Sequence, residues 1–293
     1  MAKERDYAID VVKFLAVLLI INSHADIMYP KLQILATGGA IGDCLFLFCS
    51  GFTLFMGSVK SFDNFYKRRI SRIYPSVFMS VAFIHAITLT GLIGWSELIC
   101  TKPFIVAIMV YYVLIYFIKK YVLNYVNYIL LIIGIVSLIV YIFWFPYKYE
   151  ISSKGLYGIT TYYCWIPYFG AMLLGAVIGM KRKELRYHAW WDLVKLLGCV
   201  AIFYSIQFAA KIYRPVAPWQ VVTLLPLMGI TVYFYKWCNA GWMKRIYDSK
   251  WGNWKHRLLY LRSSAHRVGH QTRTPYPTDD SRRLDFPVHL RRL

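Results

Sequence analysis

Two ionisable side chains, Lys13 and His24, lie inside the first long apolar run of this chain, from Ile9 to Tyr29. A run of that length can cross a hydrocarbon layer about 30 Å thick. A charge inside such a layer costs at least about 2.5 kcal/mol, so residues of this kind face a protein interior or a water-filled cavity. Eleven positions at about 100° each make three turns plus roughly 20°, which puts both side chains on one helix face, about 16 Å apart. Asp10 shares that face, one turn before Lys13. A polar stripe on a spanning helix predicts a site. The competing reading has Lys13 snorkelling to the cytoplasmic surface and His24 capping the helix near the other one.

Hydrophobic residues make up 58% of the 293 positions, where a soluble domain holds about 45–50%. Apolar stretches recur at 8–29, 37–56, 75–94, 103–118, 123–146, 161–180, 193–213 and 216–237. The fold class that follows is all-α: a polytopic transmembrane bundle of about eight spans over residues 1–250, with a basic tail at 251–293. Lys3 and Arg5 precede the first span without a small-residue cleavage site after it, so the span reads as uncleaved. With the N-terminus in the cytoplasm, the inner segments hold 17 Lys and Arg residues and the outer ones six. That asymmetry favours this orientation. The net charge of +20 is then topology signal and attraction to anionic headgroups, and needs no nucleic-acid partner. The six cysteines form no CxxC or zinc-ligand spacing and read as free thiols. No HExxH is present, and no metal site is expected.

The longest inner connection, 57–74, is also the most charged, and Phe65 to Pro75 reads as an amphipathic surface helix leading into the third span. Hydrophobicity falls abruptly near Trp254. Residues 255–293 hold nine Lys/Arg, four His and three Pro, too little apolar surface to offset ordering entropy, so disorder or weak headgroup binding is expected. The break is also what an out-of-frame translation would leave in place of lost C-terminal spans. Apolar spans encoded in a shifted frame of the gene are the test of that expectation.

Three constellations could carry chemistry. A neutral imidazole at His24 can take a proton from an attacking hydroxyl, and a cation on the same face biases it towards the basic form. Proton-coupled transporters use the same groups. Lys67, Arg68, Arg69 and Arg72 form a basic cluster, in which Arg69 and Arg72 project together as two guanidinium forks suited to phosphate oxygens. A cytoplasmic loop is basic for topological reasons as well. Gly38-Gly39-Ala40-Ile41-Gly42 running into Ser50-Gly51-Phe52 supplies small residues that permit close helix approach or leave room for a ligand chain. Asp43 reads as a solvated helix-end residue and His85 as a satisfied core histidine, while Glu97 and Glu150 have no evident partner.

At these residues the chain resembles the acyltransferase-3 family of bacterial membrane acyltransferases, which acylate surface polysaccharides. The family's first span carries a basic residue, ten positions and a histidine, matched by Lys13 and His24 with Ile9-Asp10 before them. Its glycine-rich second span ends in Ser-Gly-Phe, matched by Gly39, Gly42 and Ser50-Gly51-Phe52. Its Arg-x-x-Arg segment is matched by Arg69 to Arg72, followed by Ile73-Tyr74-Pro75. The chain departs from the family in two ways. Cys44 stands where members often have an acidic residue or proline, with Asp43 beside it. Members also usually have about ten spans.

The resemblance implies transfer of an acyl group, usually acetyl, from acyl-CoA to a carbohydrate hydroxyl, with no permanently bound cofactor. His24 would be the general base and Lys13 its partner. Arg69 and Arg72, with Arg68 and Lys67, would hold the CoA phosphates, and Asp10, Ser50, Gly51 and Phe52 would shape the substrate space. The implied location is the bacterial cytoplasmic (inner) membrane. Two further readings stay open: a proton-coupled polysaccharide or small-molecule transporter, and an inactive truncated member of the family. Coenzyme A binding separates the three.

Overall fold

Asp6 starts the first helix by accepting a hydrogen bond from the Ala8 backbone N–H at 3.1 Å, which satisfies a donor that an unstarted helix leaves free. The computed structural model describes residues 6–25, 28–29, 35–58, 61–88, 103–144 and 162–240. They form α1 (Tyr7–Ser23), α2 (Gly39–Met56), α3 (Phe62–Thr88), α4 (Pro103–Tyr121), α5 (Val126–Phe143), α6 (Trp165–Lys181), α7 (Ala189–Ile212) and α8 (Leu224–Cys238), with no strand among the described residues. Eight helices stand where eight apolar segments were expected. Five regions, centred on α2, α4, α5, α7 and α8, are long and apolar enough to cross a membrane. The basic tail at 251–293 lies outside the described residues.

Helix α2 is the centre of the bundle. The spanning window of α2 is 61% buried, against 22% for that of α5 and 17% for that of α7, so the latter two present their apolar faces outward. Leu131, Ile132 and Ile135 on α5 and Leu197 and Ile202 on α7 are exposed, as lipid-facing side chains must be. The closest packing is between α2 and α6. A Cβ on Gly51 would overlap the Met172 carbonyl oxygen, and one on Gly175 would overlap that of Phe48. Glycine permits this backbone-to-backbone approach, the usual means of tight association between membrane helices.

Three boundaries differ from the sequence expectation, each for a local reason. Helix α1 stops at Ser23 instead of running to 29. The Asn22 amide donates to the carbonyls of Leu35 at 2.7 Å and Thr37 at 3.0 Å, and Tyr29 donates to Asn22 Oδ1 at 2.9 Å, so the connection is tied back onto the helix end. Gly38 then starts α2 at φ 99°, in the left-handed region that glycine enters without strain. The surface helix and the third span expected to meet at Pro75 are one helix of 27 residues with Pro75 inside it. The segment expected as the last span begins as a tight 3-10 turn, Arg214–Thr223, with prolines near its start and inside it, because proline cannot donate to a helical ladder.

Polar side chains join the outer helices. Lys236 of α8 pairs with Asp192 of α7 at 3.0 Å, and Asp192 also accepts from the His188 backbone N–H at 2.8 Å. Tyr235 of α8 donates to Asp6 at 3.1 Å, which fixes the start of α1 against the end of α8.

Candidate functional site

On α1, the packed face carries Ala8, Ile9, Val12 and Ala16, all buried. Asp10 and Lys13 are half-buried beside it and His24 is exposed. The Cys49 thiol of α2 meets the Ile9 carbonyl at 3.8 Å, and Lys13 is close enough to Cys49 to act on it electrostatically. Lys13 therefore lies along the α1–α2 seam. His24 is the C-cap of α1, its backbone N–H bonding back to Ile21 and Asn22 carbonyls. The stripe read from spacing is present, yet its histidine stands at the helix end, and the described residues do not enclose it.

The basic cluster separates into one seated and three open cations. Arg69 is half-buried, its guanidinium 5.3 Å from the Phe65 ring centre and 5.6 Å from that of Tyr112. Arg68, Arg72 and Lys67 are exposed, and Lys67 pairs with Asp63 at 3.0 Å on the same surface. Burial lowers the Arg69 guanidinium from its ordinary value; Tyr112 acts against that shift, and Arg72 and Arg68 add to it. An arginine stays charged regardless. The start of α3 is held on α4 by rings: Phe62 against Tyr116 at 5.1 Å and Phe117 at 6.0 Å, and Phe65 against Tyr116 at 5.4 Å.

Ser50, Gly51 and Phe52 point three ways. Gly51 is the close contact with α6 already described. Phe52 is fully buried, its ring 5.1 Å from Tyr235. The Ser50 side chain lies beside Tyr112 of α4. Since Cys49 faces α1 and Ser50 faces α4, consecutive positions on α2 bring the surroundings of Lys13 and Arg69 to nearly the same depth. His24 lies about 16 Å further along at 1.5 Å per residue.

Sequence reasoning missed three features. Tyr112 was one, although a tyrosine hydroxyl within an apolar span needs a partner and so signals one. Lys119 is another: its ammonium donates to the Leu54 carbonyl at 2.6 Å and the Phe55 carbonyl at 3.0 Å, and also to that of Gly57. A cation at these carbonyls complements the C-terminal end of α2. Asp43 is the third. Rather than being solvated, it is half-buried and accepts a hydrogen bond from Tyr168 of α6 at 3.2 Å. His85 behaves as expected, its ring Nδ1 lying 3.0 Å from the Val81 carbonyl. Cys44, Cys49, Cys164, Cys199 and Cys238 are free thiols. No group of three or more candidate metal ligands occurs among the described residues.

The acyltransferase-3 family model, described as an acyltransferase domain, matches residues 6–261. No curated protein and no solved structure matches the chain.

Proposed function

The chain belongs to the acyltransferase-3 family of membrane acyltransferases, and we propose that it moves an acyl group, acetyl in the simplest case, from acyl-CoA to a hydroxyl of a cell-surface or exported carbohydrate. The observation that carries the donor half of this reading is the seating of Arg69. A guanidinium held on two rings, with the exposed Arg68 and Arg72 beside it, makes an ordered cationic platform of the kind that binds phosphate oxygens. In this reading the N-terminus is cytoplasmic, in the inner membrane of a bacterium, so the platform faces the compartment that holds CoA.

His24 takes the proton from the acceptor hydroxyl. The oxygen attacks the thioester carbonyl, the carbon–sulfur bond breaks, and the proton passes to the departing CoA sulfur. Lys13, half-buried on the α1–α2 seam and about 16 Å from His24 along the axis, adds positive charge along the path of the anionic donor and does not touch the reacting atoms. The thioester arm has to cover the axial distance of about 16 Å from the level of Lys13 to that of His24.

Transfer from labelled acyl-CoA by the purified protein is the test. His24→Ala abolishes transfer while leaving CoA binding in place; full-rate transfer in that variant overturns the assignment of the base. Flux of a solute that needs no CoA and is indifferent to Arg69→Ala and Arg72→Ala would instead establish a transporter.

A further inference from the structure

Arg69 cannot be oriented by its own helix alone. Phe65 lies one turn earlier on α3 and moves with it. The Arg69 Nε is buried and has no hydrogen-bond partner among the described residues, so no polar contact there fixes the plane of the guanidinium. Tyr112 is the ring contact from outside α3. It is 6% exposed, and its side chain lies beside Ser50 on α2. Three helices are thereby joined in one line: Ser50 on α2, Tyr112 on α4 and Arg69 on α3. A cation over an aromatic face is favoured by the ring's charge distribution, and most strongly where water is scarce.

We infer that Tyr112 is a positioning residue for donor binding: it sets the plane of Arg69 from the centre of the bundle without touching substrate. This rests on the reading of Arg69 as a ligand of the CoA phosphates.

The experiment is steady-state transfer by the full-length protein, with acyl-CoA and acceptor varied separately, alongside thermal unfolding in detergent. Tyr112→Leu removes the ring and raises the KM for acyl-CoA by about 5- to 10-fold, within the range a cation–π contact supports and no more than the loss of Arg69 itself. Its kcat and acceptor KM stay within about twofold on the same grounds. Tyr112→Leu added to Arg69→Ala has no further effect on donor KM. Tyr112→Phe keeps the ring and folds normally, and its donor KM stays within about twofold of the wild type. Equal changes in donor and acceptor KM, or additive effects of Tyr112→Leu and Arg69→Ala, overturn the inference and leave Tyr112 a packing residue. Failure of the wild-type chain to bind CoA overturns the proposed function itself, and this inference with it, which a normal wild-type Kd with unchanged Tyr112 variants does not.

Discussion

The two sides of α2 are built from different chemistry. Towards α6 the contact is backbone on backbone: Gly51 against the Met172 carbonyl, Gly175 against that of Phe48, and Gly179 with its would-be Cβ 3.1 Å from that of Phe52. Towards α4 the contacts are polar. Ser50 meets Tyr112, and Lys119 reaches the carbonyls at the end of α2. Interhelical hydrogen bonds in membranes average only about 0.6 kcal/mol, so the glycine side holds the bundle together while the α4 side decides where charged groups point. Ser50 and Gly51 are consecutive, about 100° apart on the helix, and serve these two purposes separately.

The comparison breaks most visibly at Gly51. Gly51→Ala forces a methyl onto the Met172 backbone, and overpacking at such a site costs about 3 kcal/mol. A large drop in the unfolding midpoint in detergent is expected. Gly134→Ala on α5 is the control, since a Cβ there meets nothing within 4 Å and the midpoint should hold or rise slightly. Equal stability of the two variants would mean that the α2–α6 seam is not the structural centre. Lys119→Met is expected to come next, at about 2 kcal/mol for loss of a charged donor to the α2 carbonyls. Its measurable signature is faster hydrogen exchange at the end of α2, with α6 unchanged. Arg69→Ala inverts the pattern. It should weaken CoA binding about tenfold, the worth of one charge-assisted contact, with a smaller change in midpoint than Lys119→Met, because removing a buried Nε that has no hydrogen-bond partner among the described residues offsets the lost ring contacts. An Arg69→Ala protein that unfolds before it loses CoA would show that the two sides cannot be separated.

Much of the fold was legible because lipid imposes a crude rule: each span must satisfy its backbone internally and be apolar over about 20 residues. Hydropathy therefore located the eight helices, and helical spacing located the stripe of Asp10 and Lys13. The ends were not legible. Whether α1 stops at Ser23 or runs to 29 depends on Asn22 finding the carbonyls of Leu35 and Thr37, a contact that no local pattern announces. The site was legible as a list of residues but not as an arrangement. Arg69 and Arg72 look equivalent on a helical wheel, yet one is seated on rings and the other is exposed, because only one of them meets α4. Asp43 looked like a helix-end residue until Tyr168, 125 positions away, came into contact with it. Partners on other helices decide such matters, and a single helix cannot specify them.

The smallest expected effect sharpens the distinction between seated and open cations. Lys67 stands two residues before Arg69 and carries the same charge, so a purely electrostatic cluster would value them alike. Its ammonium, however, is engaged with Asp63 four positions earlier, and both side chains are largely exposed, at 72% and 68%. Such a surface pair contributes between about 0 and 1 kcal/mol, and at physiological salt charges more than about 8 Å away are largely screened. Lys67→Ala should therefore leave the unfolding midpoint unchanged and weaken CoA binding by about twofold or less, with a smaller effect still at high salt. A loss matching that of Arg69→Ala would show that the number of cations, not the seating of one of them on Tyr112, governs donor binding.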